Sequence, residues 1–335
     1  MKKAQNKNKS LKKKVFHEKP ATFNSIIRDI KSLKIQGASQ VRKAAVDALK
    51  IVVDSSNKTK LNDFRDELKQ KMLVLLDSRP TEPGMRGILR IVLHELQTYS
   101  TLREAKEHIL GKLKNFELER ERAMNKISFY GARKIEKDSV VFTACHSHTV
   151  EAILIDAFEK GKIKHVYCTE TRPLYQGRIT AKVLSKAGLP VTYILDSAVS
   201  VFMKEADYFF TGADAITENG SLINKIGTNQ ASIIAEKFSV PHIVATTTHK
   251  FDPITVFGQP EKIEERSFKE VWEDKPSKVK IRNPAFDLTP ANLISEIITE
   301  KGVFSPQSFA TFMYHEMKLN EKTEKDLSLH YLLKK

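Results

Sequence analysis

The chain has 335 residues, of which 41% are hydrophobic and 29% charged, and carries a formal net charge of +15. That length exceeds what one hydrophobic core supports, about 250–300 residues, so two are expected. No run of about 18 apolar residues occurs, the basic N-terminus has no apolar stretch behind it, and there are only two cysteines. A membrane span, a secretory leader and a disulfide scaffold are therefore not expected, and a reducing, cytoplasmic setting is.

Residues 1–21 form a basic tail with eight lysines in the first 19 positions. It has too little apolar surface to offset the entropy of ordering, so it is expected to be disordered. Two readings of it stay open: a solvated, solubilising tail, or a contact with RNA or a translation factor.

Residues 22–128 read as a helical domain. Segments 22–34, 40–53, 62–76, 85–99 and 102–127 carry apolar residues three and four apart, such as Ile26, Ile27, Ile30 and Leu33. Gly and Pro mark the breaks, at 35–38 and 77–84.

After Gly131 the pattern changes, and 129–335 is expected to form a second domain. Short β-branched runs at 139–145, 165–169, 191–195, 208–212 and 242–246 alternate with helical stretches. Such alternation predicts a parallel sheet covered on both faces, a Rossmann-like α/β domain. The expected fold class is thus α/β, an N-terminal helical domain followed by a Rossmann-like parallel-sheet domain.

In open parallel sheets ligands bind beyond the carboxyl ends of the strands. Cys145 ends the first strand, Glu170-Thr171-Arg172 follow the second, Asp196 the third, and Gly212-Ala213-Asp214 the fourth. The opposite edge carries bland turns such as Lys160-Gly161-Lys162. A helix N-terminus near Ser147 would lower the Cys145 thiol pKa and suit it to proton transfer, although a buried packing role is the commoner fate of a free cysteine. Asp214 is equally readable as a general acid or base and as a turn cap. Cys168 reads as packing. His146 and His148 invite a metal reading, but no third ligand stands at a diagnostic spacing, so neither metal nor cofactor is expected. Arg79, Arg172 and Lys225 sit in loops beside Gly, Pro or Thr and together suggest an anionic ligand.

In order, Thr143-Ala144-Cys145-His146-Ser147, Thr169-Glu170-Thr171-Arg172-Pro173 with Gln176-Gly177, Gly212-Ala213-Asp214-Ala215-Ile216, Ile223-Asn224-Lys225-Ile226-Gly227-Thr228 and Asn283-Pro284-Ala285-Phe286-Asp287 form a specific series. It resembles the family uniting archaeal ribose-1,5-bisphosphate isomerases, methylthioribose-phosphate isomerases and regulatory subunits of the exchange factor for translation initiation factor two. The resemblance is closest to the archaeal members. It implies aldose-to-ketose isomerisation of a phosphorylated pentose, with Asp214 assisting ring opening and Cys145 moving the proton between two carbons. It also implies phosphate contacts from Arg79, Arg172, Gln176, Lys225 and the Gln36-Gly37-Ala38 backbone, further substrate contacts from Ser147 and Asn224, and a homodimer or higher homo-oligomer. Two departures stand out: Gln36 replaces the isomerases' arginine, and Glu82-Pro83-Gly84-Met85-Arg86 replaces small and apolar residues. Arg42 and Arg86 are the candidates to compensate. The rival reading is a non-catalytic, translation-factor-like regulatory protein that retains a phosphate-ligand pocket.

Overall fold

The computed structural model describes residues 21–32, 34–35, 38–80, 82–258, 260, 263–322, 325 and 328–334. Apart from Ala21 the basic tail lies outside them, as do Gln36 and Gly37.

Five helices open the described chain: α1 (Phe23–Lys31), α2 (Ala38–Ser55), α3 (Leu61–Ser78), α4 (Pro83–Thr98) and α5 (Leu102–Lys134). Local chemistry sets their starts. Thr22 and Ser25 form a capping box on α1, with Ser25 N donating to Thr22 Oγ1 at 3.2 Å. Glu82 accepts from Gly84 N ahead of Pro83 in α4, and Thr101 caps α5. Phe23, Ile26, Ile27 and Ile30 put one face of α1 into a core shared with Leu49, Phe64, Met72 and Leu89.

Helix α5 serves two cores. Ile109, Leu113 and Phe116 pack into the helical layer, whereas Ile127 and Ala132 pack under the sheet. The boundary expected between 128 and 129 therefore falls inside a continuous helix, which runs on past residue 127. The C-terminal helix Leu329–Lys334 also returns to the first core through Leu329 and Leu333.

The main sheet contains β1 (Ser139–Thr143), β2 (Ile163–Thr169), β3 (Val191–Ile194), β4 (Tyr208–Thr211), β7 (His242–Ala245), β9 (Glu296–Thr299) and β10 (Gly302–Phe304). Their order is β10-β9-β7-β4-β1-β2-β3, parallel throughout except for the β10–β9 pair. Helices α6 (His148–Glu159), α7 (Gly177–Lys186), α8 (Val199–Phe202) and α9 (Thr228–Lys237) connect the strands, and α10 (Pro306–Glu316) follows β10. A second, antiparallel sheet has the order β5-β6-β8, from Ala215–Ile216, Leu222–Lys225 and Phe286–Thr289. The alternation read from sequence omits five of these strands: β5, β6, β8, β9 and β10.

The chain lays down β1, β2 and β3 in one direction, then returns across β1 to place β4 on its other side. The loops leaving β1 and β4 diverge there and open a crevice at their carboxyl ends. Among the described residues no helix is long and apolar enough to cross a membrane.

Candidate active site

The loops that leave β1 and β4 carry Cys145 and Asp214. Both residues line one cavity of about 440 Å3, within the range of small-ligand sites. The cavity wall carries seven Lys or Arg side chains among its described residues, against two carboxylates, Glu82 and Asp214. That balance suits an anion.

Cys145 is held by its backbone. It adopts φ 65°, an unusual left-handed conformation for a residue with a side chain. Its N–H donates to Thr171 Oγ1 at 2.9 Å, and its carbonyl accepts from Thr180 Oγ1 at 2.9 Å. Thr171 is fixed in turn, because its N–H and that of Arg172 donate to the two Asp196 oxygens at 2.8 and 2.7 Å. Burial pushes the thiol up to about 11, with Asp214 and Asp196 adding to the rise and Lys225 and the His146 backbone opposing it. The expectation of a lowered thiol pKa is thus reversed: desolvation outweighs the dipole of α6. Cys168 is fully buried, its thiol directed at the carbonyls of Thr169 and Gly177, and burial pushes it to about 12.

Burial likewise raises the Asp214 carboxyl above the usual range. Glu82 adds to the rise, while Lys250, Lys225 and Arg79 oppose it. Gly212 is required two residues earlier, since a Cβ there would lie 2.6 Å from Ser147 Oγ. Ser147 caps α6, accepting from Val150 N.

Of the remaining expected contacts, Arg79, Ser147, Gln176, Asn224 and Lys225 all line the cavity. Arg79 is buried and meets Glu264 at 3.4 Å. Asn224 donates to Thr228 Oγ1, and Lys225 Nζ sits 5.0 Å from the Phe286 ring centroid. Ala38 opens α2, and Lys34 and Gln40 line the cavity, while Gln36 and Gly37 lie outside the described residues. Arg172 is not among the lining residues. Its exposed guanidinium donates to Tyr175 Oη at 2.6 Å and to the Val271 carbonyl at 3.3 Å, so its geometry does not support the phosphate role given to it from sequence. Of the two compensating arginines, Arg42 lines the cavity, whereas Arg86 pairs with Asp252 at 3.2 Å and does not.

Lys250, Glu82 and Arg266 also line the cavity, and sequence reading gave none of the three a place in the site. Lys250 and Glu82 are buried and meet at 3.4 Å. Lys250 could have been found by following the fifth strand into its loop, since the same edge rule applies there.

The histidines have a third companion after all. Glu151, three residues beyond His148, receives both rings, His146 Nδ1 at 2.8 Å and His148 Nδ1 at 3.3 Å. Thr180 Oγ1 donates to the same carboxylate at 2.9 Å. Burial would raise Glu151, but these hydrogen bonds and the charge on His146 outweigh it and hold the carboxyl near 2. The set satisfies itself as a hydrogen-bond network that braces the Cys145 loop.

Residues 34–306 match the family model described as the initiation factor 2 subunit family. The chain belongs to that family. It is 40% identical over 280 residues to the ribose 1,5-bisphosphate isomerase of Methanocaldococcus jannaschii, covering 83% of this chain and 90% of that one. It is 38% identical over 300 residues to the Thermococcus kodakarensis protein of the same name, covering 87% and 93%. Among solved structures, the Pyrococcus horikoshii translation initiation factor eIF-2B superposes with TM-score 0.73 at 28% identity, covering 85% of this chain and 97% of that one. The fold class read from sequence, helices followed by a mostly parallel sheet, is the one these proteins share.

Proposed function

We propose that this chain is an intramolecular aldose–ketose isomerase that converts ribose 1,5-bisphosphate to ribulose 1,5-bisphosphate. The observation that carries the reading is a thiol and a carboxyl, both with raised pKa, on one cavity wall rich in cationic side chains. The archaeal relatives named for this reaction match over most of their length, which supports it.

The chemistry divides between the two groups. Asp214 keeps its proton to higher pH than an exposed aspartate and gives it to the ring oxygen, breaking the bond between C1 and that oxygen. Cys145, as thiolate, takes the proton from C2, leaving a C1=C2 enol with its hydroxyl on C2. The thiol returns the proton to C1 while the Asp214 carboxylate accepts the proton of the C2 hydroxyl, so the ketone forms and both groups are restored. A thiol with pKa about 11 is rarely ionised at neutrality but is a strong base when it is, and Lys225 favours the ionised form. Arg79, Lys225, Lys250 and Arg42 hold the phosphates.

The protein works in the cytoplasm as a homodimer or higher oligomer. That assembly is supported by Tyr193, Leu195, Val201 and Ile233, large apolar side chains exposed around the β3 edge and on α8 and α9. Likeness to an eIF-2B structure favours the second reading, a regulatory binding protein. A binding role alone gives no reason to place a thiol and a carboxyl with raised pKa at the strand ends. Incubation with ribose 1,5-bisphosphate, followed by quantifying ribulose 1,5-bisphosphate, separates the two; absence of product favours the regulatory reading.

A further inference from the structure

Two buried guanidinium groups in the cavity each leave one nitrogen without a partner among the described residues: Arg79 Nη1 and Arg266 Nη2. Folded proteins rarely strand such donors, since an unsatisfied buried donor costs about 1–3 kcal/mol. Both arginines are anchored from behind by a carboxylate. Glu264 meets Arg79 Nη2 at 3.4 Å, and Glu270 meets Arg266 Nε at 3.2 Å, with the Arg266 side chain only 5% exposed. Glu270 is itself fixed by Asn283 Nδ2 at 3.2 Å.

One stretch of backbone places both. Arg266 N donates to the Asn283 carbonyl, and Ala285 N donates to the Glu264 carbonyl, so 264–266 runs antiparallel to 283–285 just ahead of β8. In such an extended pairing residues two apart share a face. Glu264 and Arg266 therefore lie on the same side, one gripping Arg79 and the other adding a guanidinium of its own. Strand β8 pairs with β6, which carries Asn224 and Lys225, so the segment is tied to the wall that the expected substrate contacts occupy.

We infer that Arg266 is a phosphate ligand of this cavity and that it clamps one phosphoryl group of the substrate together with Arg79. A phosphoryl group offers several acceptor oxygens, enough to satisfy both stranded nitrogens at once, and guanidinium forks fit that geometry. The identity of the substrate rests on the isomerase reading; the capture of phosphate by Arg266 does not.

The test titrates the full chain with inorganic phosphate by calorimetry, and titrates Cys145→Ser, which binds without turnover, with ribose 1,5-bisphosphate. Arg266→Ala is expected to weaken both ligands about 10- to 100-fold, and Arg266→Lys about 3- to 10-fold because charge survives without the fork. In turnover, the loss from Arg266→Ala appears in KM, with kcat changed less than about threefold. Thermal melting checks folding, and if Arg266→Ala does not fold, Arg266→Lys decides. Phosphate binding within twofold of the unaltered chain in the folded variants overturns the clamp. Loss of phosphate binding upholds it even if the unaltered chain leaves ribose 1,5-bisphosphate unconverted, a result that sinks the proposed substrate instead.

Discussion

Cys145 and Asp214 were recognisable in sequence because a strand-end rule and a motif series pointed to the same two positions. Their proton affinities were not. The helix following Cys145 argued for a low thiol pKa, yet burial raises it to about 11. On the proposed mechanism, turnover needs protonated Asp214 together with ionised Cys145, and the product of those two fractions is bell-shaped in pH, with the alkaline limb set by the thiol. Lys225 lowers the Cys145 pKa, so removing its charge raises it. Lys225→Gln is therefore expected to move the alkaline limb of the kcat/KM profile upward, on top of weaker substrate binding. An unmoved or lowered limb rules out Lys225 as the charge that tunes the thiol. Arg266 gave no sequence signal, because residues 263–267 belong to no helix or strand, and backbone pairing with Asn283 fixes its place beside β8.

The regular elements around the site were the easier part to read. Strands β1 to β4 and β7 are short runs of β-branched and aromatic residues bounded by turns, and they fell where that pattern placed them. Strands β5, β6 and β8 did not show, because β5 has two residues and β6, four residues long, takes its main partner, β8, from about 60 residues further along the chain. Helix α5 reads from sequence as far as residue 127, and its last turns, through Lys134, were missed because Gly131 marks a break in the pattern. The loop after β4 packs closely against the cap of α6. Gly212→Ala would place a Cβ 2.6 Å from Ser147 Oγ and 2.9 Å from Ser147 Cβ. The helix cap must shift, and we expect a loss of about 1–3 kcal/mol in urea denaturation together with a raised KM. Unchanged stability and KM would show that the β4 loop and α6 are not coupled.

Taken whole, the molecule is a sheet whose order reverses between β1 and β4, with a helical layer that shares α5. Its stability has a pH dependence set deep in the sheet. His242 is buried beside Phe209, with Thr211 Oγ1 at 2.7 Å from Nε2 and Ser232 Oγ at 3.0 Å from Nδ1. Burial lowers its pKa from 6.5 to about 3. The fold holds it neutral, so its contribution is complete above pH 6.5 and is lost as pH falls from 6.5 toward 3. Between pH 6.5 and 5 that loss is about 2 kcal/mol. Urea unfolding at pH 7.5 and 5 should show the drop, and His242→Gln should flatten it; equal slopes in both proteins would refute the assignment. The central claim concerns the crevice itself. The direct measurement is kcat for ribose 1,5-bisphosphate in the unaltered chain, Cys145→Ser and Asp214→Asn, each with its melting temperature. Formation of ribulose 1,5-bisphosphate that falls about a thousandfold in both variants, with folding intact, is the predicted result. Product formed equally well by folded Cys145→Ser or Asp214→Asn contradicts the account.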